Sequence, residues 1–174
     1  EDQDMWWFSG IYRDVSLMNT PALHIEDCRI LGDLDETYQH GIFTADIRMS
    51  AVGGTLSWKL TDAEGRTALE GKGEQTEKEL TIRAILPKVH TWTAETPYLY
   101  TLTLTLEGEG DSHQVAYRTG FRKVEVKGNV FTVNGKAILL NGVNHHDYSP
   151  TGGRTVDPEV MRQDILLMKQ NNIN

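Results

Sequence analysis

The stretch Asn141 to Pro150 reads N-G-V-N-H-H-D-Y-S-P, and it sits between two segments of opposite character. Ahead of it, Ala137-Ile138-Leu139-Leu140 is a short apolar run, the pattern of a strand buried on both faces. Behind it come Gly152-Gly153 and then Asp157-Pro158-Glu159, a helix start with Asp157 as N-cap and proline at the first helical position, where its missing N–H costs nothing. The helix is predicted over Pro158 to Gln170, with Met161, Ile165 and Met168 as its apolar stripe and Leu167 beside them. Strand, polar loop and helix in that order make one unit of a β/α barrel, the fold in which the loop after the strand carries the chemistry. One unit cannot close a barrel, so the helix is expected to need partners beyond Asn174.

Upstream the texture is alternation punctuated by turns. Runs at Leu23–Leu31, Gly41–Met49, Thr55–Leu60, Thr67–Lys72, Glu79–Ile85, Tyr98–Leu106 and Gln114–Phe121 read as strands. Turn signals fall between them at Gly53-Gly54, Asp62-Ala63-Glu64-Gly65 and Gly108-Glu109-Gly110-Asp111. About seven short strands in ~100 residues is the size of an immunoglobulin-like β-sandwich. Leu56, Trp58 and Leu60 alternate cleanly, whereas Ile42, Thr44, Asp46 and Arg48 do so poorly. The core is expected from Trp58, Leu60, Trp92, Tyr100, Leu102 and Leu104; Trp92, Pro97, Tyr98 and Tyr100 read as core or corner packing, not as a sugar platform. Lys123–Val126 and Val130–Val133 form a hairpin about Gly128-Asn129, and Asn134-Gly135 turns the chain into the apolar run.

Residues 1–22 are too few to fold alone and read as the tail of a preceding domain, ending in a strand-like Asp14–Met18. Asp2 and Asp4 share one face of an extended segment. Two such carboxylates either bind a cation or sugar hydroxyls, or form a solvated acidic stretch; residue types alone favour the second.

The net charge of −8 and the absence of any Lys/Arg cluster argue against a nucleic-acid surface or an anionic membrane as partner. With one cysteine, Cys28, there is neither a disulfide framework nor a cysteine zinc site, and the thiol reads as a small core residue. No apolar run approaches the ~20 residues of a membrane span. The acidic N-terminus is unlike a signal peptide, so a cytoplasmic location is expected.

His145, His146 and Asp147 are the one dense cluster of titratable groups beside an apolar run. Adjacent histidines point apart and no His-x-x-x-His spacing accompanies them, which argues against a metal centre. Ser149 lies in a turn before proline, a poor nucleophile. Asn144, His146 and Asp147 retain donors and acceptors suited to sugar hydroxyls, set against a merely structural loop. Glycoside hydrolysis needs two carboxyl groups roughly 5 to 9 Å apart, and Asp4 and Asp147 do not make a convincing pair.

Taken together, E-D-Q-D-M-W-W-F-S-G-I-Y-R-D-V at the start, T-W-T-A-E-T-P-Y-L-Y and G-F-R in the middle, and N-G-V-N-H-H-D with D-I-L-L-M-K-Q-N-N-I-N at the end closely resemble β-galactosidases of glycoside hydrolase family 2. The resemblance is collinear over essentially the whole chain. It implies that residues 1–22 end a sugar-binding jelly-roll domain, 23–122 form the immunoglobulin-like domain and 123–174 begin the catalytic barrel. The fold class is thus all-β, with the first strand and helix of a TIM barrel appended.

The resemblance further implies a retaining hydrolase of terminal β-galactosides such as lactose. Its two catalytic glutamates would lie beyond Asn174, so the chain alone is expected to be inactive. Magnesium and sodium would serve the whole protein. Asp4 looks like the aspartate that binds a galactose hydroxyl and sodium, and His146 like the histidine that hydrogen-bonds the galactosyl group; Asn144 and Asp147 would support the loop. Members usually carry arginine or lysine before that histidine. This chain has His145, whose reference pKa of about 6.5 leaves it mostly neutral at pH 7. The partners implied are the galactoside, the rest of the polypeptide and further copies of it. The Asp62–Lys78 segment is, however, short beside members that send a long loop to a neighbouring subunit, so their assembly is not carried over. A β-glucuronidase, or a non-catalytic sandwich that binds carbohydrate or protein, is the alternative. D-Q-D-M-W favours the galactosidase branch.

Overall fold

The computed structural model describes residues 10–11 and 13–174. The chain divides into two compact units, one of Asn19–Leu139 and one of Leu140–Asn174 together with residues up to Met18.

In the larger unit, β1 (Ile25–Leu34), β2 (Gly41–Met49) and β5 (Glu79–Leu86) form one sheet in the order β1-β2-β5. A second sheet, ordered β4-β3-β6-β7, contains β3 (Thr55–Thr61), β4 (Thr67–Glu74), β6 (Tyr100–Glu107) and β7 (Ser112–Thr119). Every pairing in both sheets is antiparallel. This is the expected immunoglobulin-like sandwich. Period-two alternation builds its core: Tyr100, Leu102, Leu104 and Leu106 of β6 are all buried, with Leu56 and Leu60 of β3 beside them. On β2 the buried residues are Phe43, Ala45, Ile47 and Met49, so the alternation is regular and Ile42, Thr44, Asp46 and Arg48 mark its outward face.

Two tryptophans expected in the core are only half-buried. Trp58 packs against the core while covering Gly71, where a Cβ would lie 2.5 Å from its ring. Trp92 is a corner residue. Its backbone N–H donates to the Phe121 carbonyl (2.8 Å), and the Arg122 guanidinium stacks 4.6 Å from its ring centroid. Phe121 itself is fully buried and closes that end of the sandwich edge-on to Tyr100, with ring centroids 5.1 Å apart. Burial pushes the Cys28 thiol on β1 up to about 11, with Asp27 and Asp46 adding to the rise, so it is packing and not a nucleophile.

The predicted hairpin is present as β8 (Val124–Lys127) and β9 (Val130–Val133), with the short β10 (Lys136–Ala137) beside β9. It docks on the β1–β2 connection through Tyr38. That hydroxyl donates to Glu125 Oε2 (2.8 Å) and accepts from Lys127, while Lys123 pairs with Glu36. The Tyr38 ring fills the space a Cβ on Gly135 would occupy, at 2.6 Å. At φ 74° that position favours glycine on backbone grounds as well.

Asp35 organises the same connection. Its carboxylate accepts the His40 N–H (3.0 Å), the Thr37 hydroxyl (2.7 Å) and the Gln39 N–H (3.1 Å). These bonds, the His40 N–H foremost, hold its carboxyl down at about 2 against an ordinary 3.8. A depressed carboxylate stabilises the fold above its unfolded value and loses that contribution as pH falls through the folded one. Unfolding midpoints measured from pH 5 to 2 should therefore show an acid limb that Asp35→Ala flattens.

Two expected strands are absent. Ile138, Leu139 and Leu140 are 36%, 77% and 67% exposed and lie outside any strand. Only its start is held: Ala137 pairs with β9 and the Ile138 N–H donates to the Phe131 carbonyl (2.9 Å), whereas a parallel barrel strand is hydrogen-bonded to strands on both sides along its length. Asp14–Met18 is likewise exposed and unpaired with any strand. The helix, by contrast, runs over Pro158–Gln170 as predicted, with the Asp157 carboxylate accepting the Glu159 N–H at 2.8 Å. It ends with Asn172 at φ 58°, the Ile173 N–H returning to the Met168 carbonyl and the Asn172 N–H to the Lys169 carbonyl. That is a Schellman stop with asparagine in the usual glycine place.

Candidate functional site

The smaller unit places the Asn141–Val156 loop over one helix, and each end of the loop is fixed by its own sequence. At the start, the Asn141 N–H donates to Asn174 Oδ1 (2.8 Å) and the Asn174 N–H returns to the Asn141 carbonyl (3.1 Å). At the far end Ser149 and Gly153 exchange two backbone hydrogen bonds of 2.8 Å. The Ser149 hydroxyl also accepts the N–H groups of Gly152 (3.1 Å) and Thr151 (3.4 Å). That serine is a turn former, in keeping with the sequence argument against a nucleophile. Val156 is 5% exposed and anchors the chain just before α1 (Pro158–Gln170).

Between these ends lie the residues singled out for chemistry. His145 Nε2 sits 3.2 Å from Asp164 Oδ2 on α1, and its Nδ1 is 3.9 Å from Asp147 Oδ1. His146 and Asn144 are exposed, and neither makes a hydrogen bond among the described residues. Asn144 and His146 are thus open to a ligand on an exposed loop, beside Asp147, whose exposed carboxylate also faces His145. Asp4 lies outside the described residues.

Asp164 was not legible as a site residue, although a signal for it exists. Met161, Asp164 and Met168 stand at i, i+3 and i+7 and are the half-buried positions of one helix face, with Leu166 partly covered beside them. Ile165 and Leu167, expected in the stripe, are 59% and 56% exposed. A carboxylate inside an otherwise apolar stripe needs a polar partner, and His145 provides it.

Among the described residues no three of His, Cys, Asp or Glu are grouped to hold a metal ion. Nor, among the described residues, is any helix long and apolar enough to cross a membrane. A surface hollow of about 560 Å³ beside Trp92 is lined by Arg118, Arg122, Asp33 and apolar groups. With Trp92 capped by Arg122 and Tyr98 edge-on to Tyr100 (5.3 Å), these aromatics pack against their neighbours, as the corner reading requires.

Comparison with known proteins bears on both units. The model of glycosyl hydrolases family 2 matches residues 23–122, and that of the family's TIM barrel domain matches residues 124–174. The whole chain aligns with the β-galactosidases of Pectobacterium atrosepticum (36% identical), Aeromonas hydrophila (38%) and Pseudoalteromonas haloplanktis (40%), in each case across 18% of the relative. The chain thus spans about a fifth of the length of the curated relatives it matches. Among solved structures, 86% of the chain superposes on 19% of a Bacteroides uniformis β-glucuronidase with a TM-score of 0.77 at 26% identity. A Parabacteroides merdae β-glucuronidase gives a TM-score of 0.81 at 20% identity, over 88% of this chain and 20% of that one, a likeness of fold alone. A sandwich and a barrel start, each matched by its own domain model in the same order, place the chain in glycosyl hydrolases family 2.

Proposed function

We propose that the chain is part of a retaining β-galactosidase that hydrolyses terminal, non-reducing β-D-galactose residues in β-galactosides such as lactose. The observation that carries this reading is the end-to-end alignment with relatives named β-galactosidase at 36–40% identity, joined to the D-Q-D-M-W motif at Asp2–Trp6.

In this reading the sandwich links the sugar-binding domain to the barrel, and the Asn141–Val156 loop is one wall of the galactosyl pocket. His146 donates a hydrogen bond to a galactosyl hydroxyl, a contact that lowers the barrier to the extent that it strengthens in the transition state. Asn144 and Asp147 shape the loop around it. Asp4, assigned on its motif alone, receives another hydroxyl and a sodium ion. Retention requires two carboxyl groups about 5–5.5 Å apart, one as acid and base and one as nucleophile. These are two glutamates on later barrel strands, and magnesium is held with them. The chain alone therefore supports no turnover. The whole protein works in the cytoplasm as a homo-oligomer.

A second reading, in which the same loop serves a glucuronide, rests on the 26% identity to a solved β-glucuronidase, a relative within the same family. Sequencing the coding region on both sides of this segment tests the proposal. Further β/α units after Asn174, with two glutamates at strand ends, are expected; a stop codon there would leave a binding or assembly role for the sandwich.

A further inference from the structure

We infer that His145 is a positioning residue, which ties the loop to α1 through Asp164 and so presents His146 to the sugar. This deepens the proposed reading and rests on it.

The loop is fixed at Asn141 by Asn174 and at Ser149 by Gly153, which leaves the polar segment between them to be held in place. His145 meets Asp164 at 3.2 Å in the middle of that segment, one turn and a half into a capped helix. Asp147 flanks the other imidazole nitrogen at 3.9 Å. The next residue, His146, is exposed and has no hydrogen-bond partner among the described residues. One histidine is engaged and its neighbour is free, an arrangement suited to holding a ligand contact in register.

The pair adds little to the stability of the fold. His145 and Asp164 have side chains 35% and 37% exposed, and ion pairs this open contribute little to stability. What the contact restricts is where the loop lies, and small misplacements of a reacting group's neighbours cost rate more than binding. Asp164 needs a donor at Nε2, not a permanent charge. The tautomer with its proton on Nε2 supplies that donor.

The test is steady-state kinetics on an aryl β-galactoside with the full-length protein. His145→Ala should lower kcat about tenfold with KM nearly unchanged. Asp164→Ala should match it, and the double variant should be no worse than either, because both remove one contact. His145→Gln, which keeps a donor of similar reach, should restore most of the rate. A His145→Ala enzyme with full kcat, or a double variant whose losses multiply, would overturn the inference while leaving the β-galactosidase reading intact. A full-length protein with no β-galactosidase activity removes the reading, and the inference with it.

Discussion

Phe121→Ala is expected to destabilise the sandwich by about 3–5 kcal/mol, the cost of losing a buried aromatic and leaving a cavity behind. The ring is fully buried, lies edge-on to Tyr100 at 5.1 Å and stands 6.5 Å from Phe43, so it joins residues of both sheets. Gly41 cannot fill the gap: a Cβ there would lie 2.8 Å from the Phe121 ring in the native packing, and glycine has none to offer. The neighbouring backbone is also committed, with the Phe121 carbonyl accepting the Trp92 N–H and the Arg122 N–H donating to the Gly32 carbonyl. Urea unfolding monitored by tryptophan fluorescence measures the loss. A change below about 1 kcal/mol would mean that the end of the sandwich collapses around the missing ring.

His146→Ala in the full-length protein is expected to lower kcat about a hundredfold while raising KM much less, the signature of a hydrogen bond made chiefly in the transition state. His146 is exposed and without a hydrogen-bond partner among the described residues, so its removal disturbs no internal bond. The unfolding midpoint of the variant should stay at that of the wild type. Equal kcat in variant and wild type would take His146 out of the site, and a fall in stability matching the fall in rate would make it structural.

The sandwich was legible because burial on one face forces period two, and each of its seven strands carried enough of that pattern to be placed within a few residues. The β2 strand shows the limit: its inward residues Phe43, Ala45, Ile47 and Met49 include an alanine, and outward Ile42 blurs the contrast. Trp58 and Trp92 are less buried than their size suggests: Trp58 packs against the core while covering a glycine, and Trp92, read as core or corner packing, sits at a corner under an arginine. The helix was read to the residue because Asp157, Pro158 and the terminal asparagines are local signals.

The apolar run at 138–140 failed for the opposite reason, since a barrel strand is specified by neighbours far along the chain. In the site, the loop residues could be named from the sequence, but the His145–Asp164 link could not. It joins residues 19 positions apart, and no local pattern announces which histidine of a pair turns to the helix.

The most direct test of the account is the ratio of kcat/KM for an aryl β-galactoside to that for the matching β-glucuronide, measured with the full-length protein. A site built to pair sugar hydroxyls rejects a substrate that leaves its polar groups unmatched by roughly 10⁴-fold, and the account predicts a preference for the galactoside of that order. Comparable rates on the two substrates, or a preference for the glucuronide, would contradict it.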